Sequence, residues 1–396
     1  MILRRFVPIA VMALVVALAV AACGGGGSSS SSTSAETSPA EGGGKEATGS
    51  EPEDQEGSSA GASLVEGPPE VPPTTIPPGL EPLKEPPPEG INVVNMQCDF
   101  PTCTGFSKVF QEVGKKLNWK VKTIIYKTGQ PQDAMTQAVN TPGAEYIVTG
   151  GVTTSIIKPQ LKIAAEKGIK LIKGEDPGPP EPPTVPVAIS TAVGNSERPA
   201  EGLMRWIIND SEGKAQVVVI GLPEIPTVVP TPKTGERVAE EECPECKVEE
   251  LPVTGEELAA GTVPAKVVAY LQAHPETDYV WAAFGNLSLG VPQAIKTAGL
   301  AEKVKVVSMN GIEPAEAEAL KKGELQAFNV GAQGEYGTAW ADAIIRIAEG
   351  MKLPQKHYEE IPQSWLCRPE TAEECAEWET FPPEILEDYY ELWGVK

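Results

Sequence analysis

The chain is predicted to fold as two doubly wound α/β lobes, each with a parallel sheet. Three observations predict this. Short apolar runs alternate with helical stretches from Ile91 onward, the pattern resets near residue 192, and about 300 residues are too many for one core. Strands that alternate with helices cross over to lie parallel, with helices on both faces of the sheet.

The first lobe opens with "INVVNM", a short buried strand. "GFSKVFQEVGKKL" follows as a helix with Phe106, Val109, Phe110, Val113 and Leu117 on one face. "WKVKTIIY" reads as a strand, "PQDAMTQAVN" as a helix and "AEYIVTGG" as a strand. "SIIKPQLKIAAEKG" reads as a helix and "IKLIKG" as a strand. "VPVAIS" is a strand able to cross over. The second lobe begins with the helix "ERPAEGLMRWIIND", then the strands "AQVVVIGL" and "CKVEELPV". The helix "TVPAKVVAYLQAHP" gathers Val263, Val267, Val268 and Leu271. Strand and helix then alternate through "DYVWAAFG", "LGVPQAIKTAGL", "KVKVVSMN", "PAEAEALKKG" and "LQAFNVG", and "GTAWADAIIRIAEG" is the last long helix.

Ahead of the lobes, Arg4 and Arg5 precede an apolar run from Phe6 to Ala22, the charged and hydrophobic parts of a secretory signal. At roughly 1.5 Å per residue the run could almost span a bilayer, so an uncleaved helix is the other reading. Val20-Ala21-Ala22-Cys23 resembles the bacterial lipobox. That resemblance implies that residues 1–22 are a lipoprotein signal peptide and that Cys23 becomes the lipidated N-terminus. Residues 23–90 are Gly/Ser-rich, then acidic, then proline-rich. Such a composition buries too little apolar surface to offset ordering entropy, so the segment is expected to be a disordered tether with polyproline II character towards its end. As a flexible coil it reaches roughly 40–50 Å.

The net charge is −23, and residues 91–396 carry an excess of 15 negative charges. A nucleic-acid partner is excluded on that balance. Of seven cysteines, Cys23 is assigned to lipid. The rest fall as close pairs, Cys98/Cys103, Cys243/Cys246 and Cys367/Cys375, which an oxidising compartment would join as three local disulfides. "CPEC" as a redox site is the alternative, but no cation lies near it to stabilise a thiolate. His274 and His357 show no ligand spacing, so neither a metal nor a cofactor is expected. There is no nucleophile elbow, phosphate loop or histidine pair, and the chain is read as a non-enzyme.

In open α/β sheets, ligands bind at the carboxyl ends of the strands. By that rule the first lobe presents Phe100 and Thr102 in "NMQCDFPTCTG", then Thr149, then Glu175 and Asp176. The second presents Glu224 and Thr227 in "GLPEIPT", then Phe284, Asn286, Asn310 and, in "GAQGEYG", Gln333. Phe284 and Phe100 offer a surface for a flat or apolar ligand face, though Phe284 also reads as core. Asp176 before Pro177 also reads as a solvated turn, and Asn310-Gly311 as a turn pair.

Three stretches carry a resemblance to a known family: "AAEKGIKLIKGED", "HPETDYVWAAFGNLSLGVPQAIKTAGL" and "VKVVSMNGIEPAEAEALKKGELQAFNVGAQGEYGTAW". In order and spacing they resemble the type I periplasmic binding proteins, the ribose-binding-like substrate-binding lipoproteins of ABC transporters. The resemblance covers about Ile91 to Ser364. It implies two lobes that close over a small-molecule solute about a three-segment hinge, then dock on an ABC transporter permease. It also implies a monomer held outside the cytoplasm by its lipid anchor. A ligand sensor that presents its bound state to a membrane receptor is the alternative. The lobes would be discontinuous, 91–191 with about 332–359, and 192–331 with about 360–396, the aromatic tail clamping one lobe.

The resemblance also implies where this pocket departs from sugar-binding members. Glu175-Asp176 keeps a carboxylate after the fourth strand but lacks the arginine beside it. Pro232 falls near the second-lobe arginine, and Phe284 falls where an asparagine is usual, with Asn286 two residues on. Asn310 replaces an aspartate, and Gly331 falls at the glutamine, with Gln333 near. Buried unmatched polar groups are costly, so these losses argue against a simple hexose or pentose. They favour a small neutral or weakly cationic compound: a modified sugar, polyol, nucleoside-like molecule or aromatic metabolite.

Overall fold

The computed structural model describes residues 65–99, 101–127, 130–152, 154–174, 183–185, 196–377 and 383–396. Residues 1–64, with the signal and Cys23, lie outside the described residues, as does "VPVAIS" beyond Val185.

The first lobe runs β1 (Asn92–Cys98), α1 (Pro101–Lys116), β2 (Lys120–Tyr126), α2 (Gln132–Val139), β3 (Tyr146–Gly150), α3 (Lys158–Glu166), β4 (Lys170–Gly174) and the short β5 (Thr184–Val185). All pairings are parallel, in the order β2-β1-β3-β4-β5. Side chains alternate between faces, as a pleated strand requires. Val93, Val148 and Ile172 pack on one face of this sheet, Val94, Ile147 and Leu171 on the other. The α1 stripe of Phe106, Val109, Phe110, Val113 and Leu117 is buried.

The second lobe runs α4 (Arg198–Asp210), β6 (Gln216–Gly221), α5 (Pro230–Glu242), β7 (Lys247–Pro252), α6 (Gly255–Ala259), α7 (Val263–Ala273), β8 (Tyr279–Ala282), α8 (Val291–Thr297), β9 (Lys305–Asn310), α9 (Pro314–Lys321) and β10 (Ala327–Gly331). α10 (Glu335–Ala348), α11 (Gln355–Glu359), β11 (Ser364–Cys367), α12 (Ala372–Glu377) and α13 (Pro383–Leu392) follow. The second sheet has the order β11-β10-β9-β8-β6-β7 and is parallel except for β11, which pairs antiparallel with β10. Three disulfides join Cys98 to Cys103 between β1 and α1, Cys243 to Cys246 between α5 and β7, and Cys367 to Cys375 between β11 and α12.

Two expectations are corrected here. Residues 65–90 are not a loose tether but an ordered strap on the folded body. They lack a core of their own, yet Val65 packs on the second lobe's core, and Ile76, Leu80 and Leu83 on the first lobe's. The tail does not stay on one lobe. β11 extends the second sheet, whereas Ile385, Tyr389, Tyr390 and Trp393 of 383–396 are buried in the first lobe's core with Phe106, Trp340 and Tyr358. Ile385, Tyr389 and Tyr390 of α13 share one buried cluster with the aromatic Phe106 and Phe110 of α1 and Tyr336 and Trp340 of α10.

Candidate functional site

Chain tracing places the site. α10 packs in the first lobe's core, yet only residues 332–334 separate it from β10 of the second sheet. The first lobe therefore sits at the carboxyl end of β10. There, Ala332 N donates to Gln363 O at 2.8 Å, tying one crossover to the segment that leads back into β11.

At these strand ends several buried polar atoms find no partner among the described residues. Thr149, at the end of β3, is fully buried and its Oγ1 is unpartnered. Asn310 ends β9 in the left-handed region, at φ +74°, a conformation that asparagine tolerates better than most residues. Its Nδ2 donates to Ala283 O at 3.3 Å while its Oδ1 is unpartnered. Gln333, in the crossover after β10, is 4% exposed and its Nε2 is unpartnered. Leaving such atoms dry costs about 1–3 kcal/mol each, so they mark where a polar ligand gains most.

The other expected residues are placed as follows. Phe284 is half-buried, packed against the second lobe's core, and leads into the turn where Asn286 Nδ2 donates to Glu313 Oε1 at 3.3 Å. Thr227 is half-buried in the loop between β6 and α5. Glu224 is exposed and accepts from Gly255 N at the start of α6. Phe100, Glu175 and Asp176 lie outside the described residues, as does the side chain of Thr102.

Three further residues gather at the same ends. Thr231, in the first turn of α5, is fully buried with an unpartnered Oγ1. Lys173 is buried on β4 and its Nζ donates to Thr154 Oγ1 at 2.5 Å. Glu316, on α9, is 1% exposed with neither carboxylate oxygen partnered. It lies behind two site turns: a Cβ on Gly285 would sit 3.2 Å from Glu316 Oε1 and 2.8 Å from Gly311 O, so only glycine fits there. Burial, with Glu313 adding like charge, pushes the Glu316 carboxyl up to about 7. A glutamate in the first turn of a helix is ordinary in a sequence, so only its burial singles it out.

The arrangement is that of a two-lobed α/β protein built on two largely parallel sheets, with unpartnered polar atoms at the carboxyl ends of strands in both lobes. The chain belongs to the periplasmic binding protein domain family, whose model matches residues 91–352.

Solved structures share the fold. The arabinose transporter's binding protein from Shewanella sp., bound to α- and β-L-arabinofuranose, is 21% identical with a TM-score of 0.59. The match covers 72% of this chain and 94% of that one. A periplasmic ribose ABC transporter protein from Conexibacter woesei is 16% identical with a TM-score of 0.60, covering 74% and 96%. A solute-binding protein from Bacillus halodurans with bound myo-inositol is 16% identical with a TM-score of 0.56, covering 73% and 98%. No curated protein sequence matches the chain.

Proposed function

We propose that the chain is an extracytoplasmic solute-binding lipoprotein. It captures one small polyhydroxylated solute between its lobes and delivers it to an ABC importer. The reading is carried by the unpartnered buried Thr149 Oγ1, Asn310 Oδ1 and Gln333 Nε2 at the carboxyl ends of strands in both lobes. One acceptor, one donor and a hydroxyl, none of them charged, suit hydroxyl groups better than a carboxylate or ammonium. The ligands named for two fold neighbours, arabinofuranose and myo-inositol, have that chemistry. Phe284 adds a flat apolar wall, and Cys23 the lipid anchor that keeps capture beside the permease. No step of this role requires catalysis, a metal or a cofactor.

The test is a thermal-shift panel of pentoses, hexoses, polyols, nucleosides, amino acids and polyamines. A solute at a hundred times its Kd adds about 2.7 kcal/mol of stability, a readily visible rise in Tm. Gln333→Ala should then weaken binding of that solute about tenfold, the worth of one hydrogen bond in a closed site. A flat panel on protein freed of carried-over solute removes the reading. So does a Gln333→Ala variant with unchanged Kd.

A further inference from the structure

The strap formed by residues 65–90 joins the lobes alongside the crossover that leads into β11. Its first part is fixed to the second lobe. Val65 N donates to Asn209 Oδ1 at 3.1 Å, and Asn209 Nδ2 returns a bond to Val65 O at 2.9 Å. Pro68 seats on α4 over Gly202, where a Cβ would lie 2.9 Å from the proline's own. Leu366 N of β11 donates to Pro69 O at 2.6 Å, and Arg368 pairs with Glu70 at 2.9 Å.

Its later part is fixed to the first lobe. The imidazole of His357 is fully buried between Pro77 O, 2.8 Å from Nδ1, and Tyr389 Oη, 2.9 Å from Nε2. A carbonyl only accepts, so Nδ1 carries the proton and Nε2 accepts from the tyrosine. Arg346 donates to Glu81 O at 2.7 Å, Leu83 N to Leu392 O at 2.9 Å, and Trp119 Nε1 to Pro88 O at 2.7 Å. At the crossover itself, Gln363 Nε2 donates to both Thr75 O (3.0 Å) and Glu335 Oε1 (2.7 Å).

Between the two anchorages, Val71 and Thr74 are exposed, Val71 at 71%, and Pro72 and Pro73 are half-buried. Beside this stretch is a gap of about 460 Å³, lined by Pro69, Pro77, Arg198, Asn329 and Gln363 among others. From Glu70 to Thr75 there are five residue steps, which fully extended span at most about 18 Å, and Pro72 and Pro73 stiffen the stretch.

We infer that residues 65–90 are a check-strap: a fourth, inextensible link beside the crossovers that sets how far the two lobes can open. The second-lobe anchorage is built from hydrogen bonds, the Arg368–Glu70 ion pair and half-buried Val65, and the first-lobe anchorage from hydrogen bonds and half-buried Ile76, Leu80 and Leu83. Opening beyond the reach of five residues must therefore break one of them. The strap precedes the family-matched 91–352, and His357, Gln363 and Leu366 follow it, so the family model does not describe this link. It acts on the solute-free protein and does not depend on which solute is bound.

The test uses the full chain without solute, with one spin label on exposed Glu166 and one on exposed Lys296, read as a distance distribution. Inserting six Gly/Ser residues between Pro72 and Pro73 keeps both anchorages and lengthens only the link. The expected result is a distribution that extends about 5 Å or more beyond that of the unaltered chain, with Tm unchanged. Asn209→Ala combined with Arg368→Ala, which removes the side-chain bonds and the ion pair of the second-lobe end, should extend the distribution in the same direction. An insertion variant whose distribution superimposes on that of the unaltered chain overturns the inference.

Discussion

Replacing Asp342 with alanine is expected to cost about 3–5 kcal/mol of stability, because it strips a buried arginine of its counter-ion. Asp342 is fully buried on α10. Its Oδ2 accepts from Arg346 Nε at 2.8 Å and from Tyr358 Oη at 2.6 Å, and its Oδ1 accepts from Trp393 Nε1 at 2.8 Å. One carboxylate thus gathers α10, α11 and the segment after α13. Through Arg346 it also reaches the strap at Glu81. The substitution leaves a guanidinium that is 2% exposed and two aromatic donors without their acceptor. Asp342→Asn keeps the shape and some hydrogen bonding but not the charge, and should fall between. Urea denaturation midpoints at constant m-value measure both. A loss below about 1 kcal/mol for the alanine variant would show that the network is not holding the lobe together.

Stability should also fall as pH rises from about 4.5 to about 7, and Glu316→Gln should remove part of that fall. Burial pushes Glu316 up to about 7, and burial likewise pushes Glu335 up to about 7 despite two donors from Gln363. In both cases the folded chain keeps a proton that the unfolded chain, near 4.5, releases. Their stabilising contribution is therefore complete below about 4.5, is lost through the interval, and is gone above about 7. For one group the loss is up to about 3 kcal/mol. The expected result is that Glu316→Gln matches the unaltered protein at pH 4.5 and exceeds it by up to that amount at pH 8. An equal difference at both pH values would mean that ionisation of Glu316 is not what the fold resists.

The parallel strands were legible because buried parallel strands are written as continuous β-branched runs, as in "AQVVVIGL" and "KVKVVSMN", whereas antiparallel β11 was read only as part of the tail. α5 was not. "PTPKTGERVAEEE" opens with two prolines and a glycine, and its buried face is thin: Thr231, Pro232, Thr234, Gly235, Val238 and Ala239. Proline is tolerated in a first helical turn, which the composition of a window hides. Thr231 was lost with the helix that carries it. Thr149, Asn310 and Gln333 were named from the strand-end rule, with the family resemblance also pointing at Asn310 and Gln333, but sequence could not say which of their atoms lack a partner. The strap was illegible for a different reason. Composition asks whether a segment can bury its own apolar surface, and Ile76, Leu80 and Leu83 instead complete a core built by α1, α10 and α13.

The joining of strap and tail has a consequence for the order of folding. Leu83 meets Leu392, and Asp342 meets Trp393, so the first lobe's core is closed by residues more than 300 positions apart in the strap and the tail. Contacts of such sequence separation form late, since loop-closure entropy must be met before they contribute. A chain that emerges from its N-terminal end cannot complete the first lobe until 383–396 arrive. The second lobe's core, from α4 through β11 and α12, is complete before residues 383–396 arrive and is free to form earlier. The lobe that begins first is thus finished last, and an exported chain threaded from its N-terminus keeps that lobe incomplete throughout translocation.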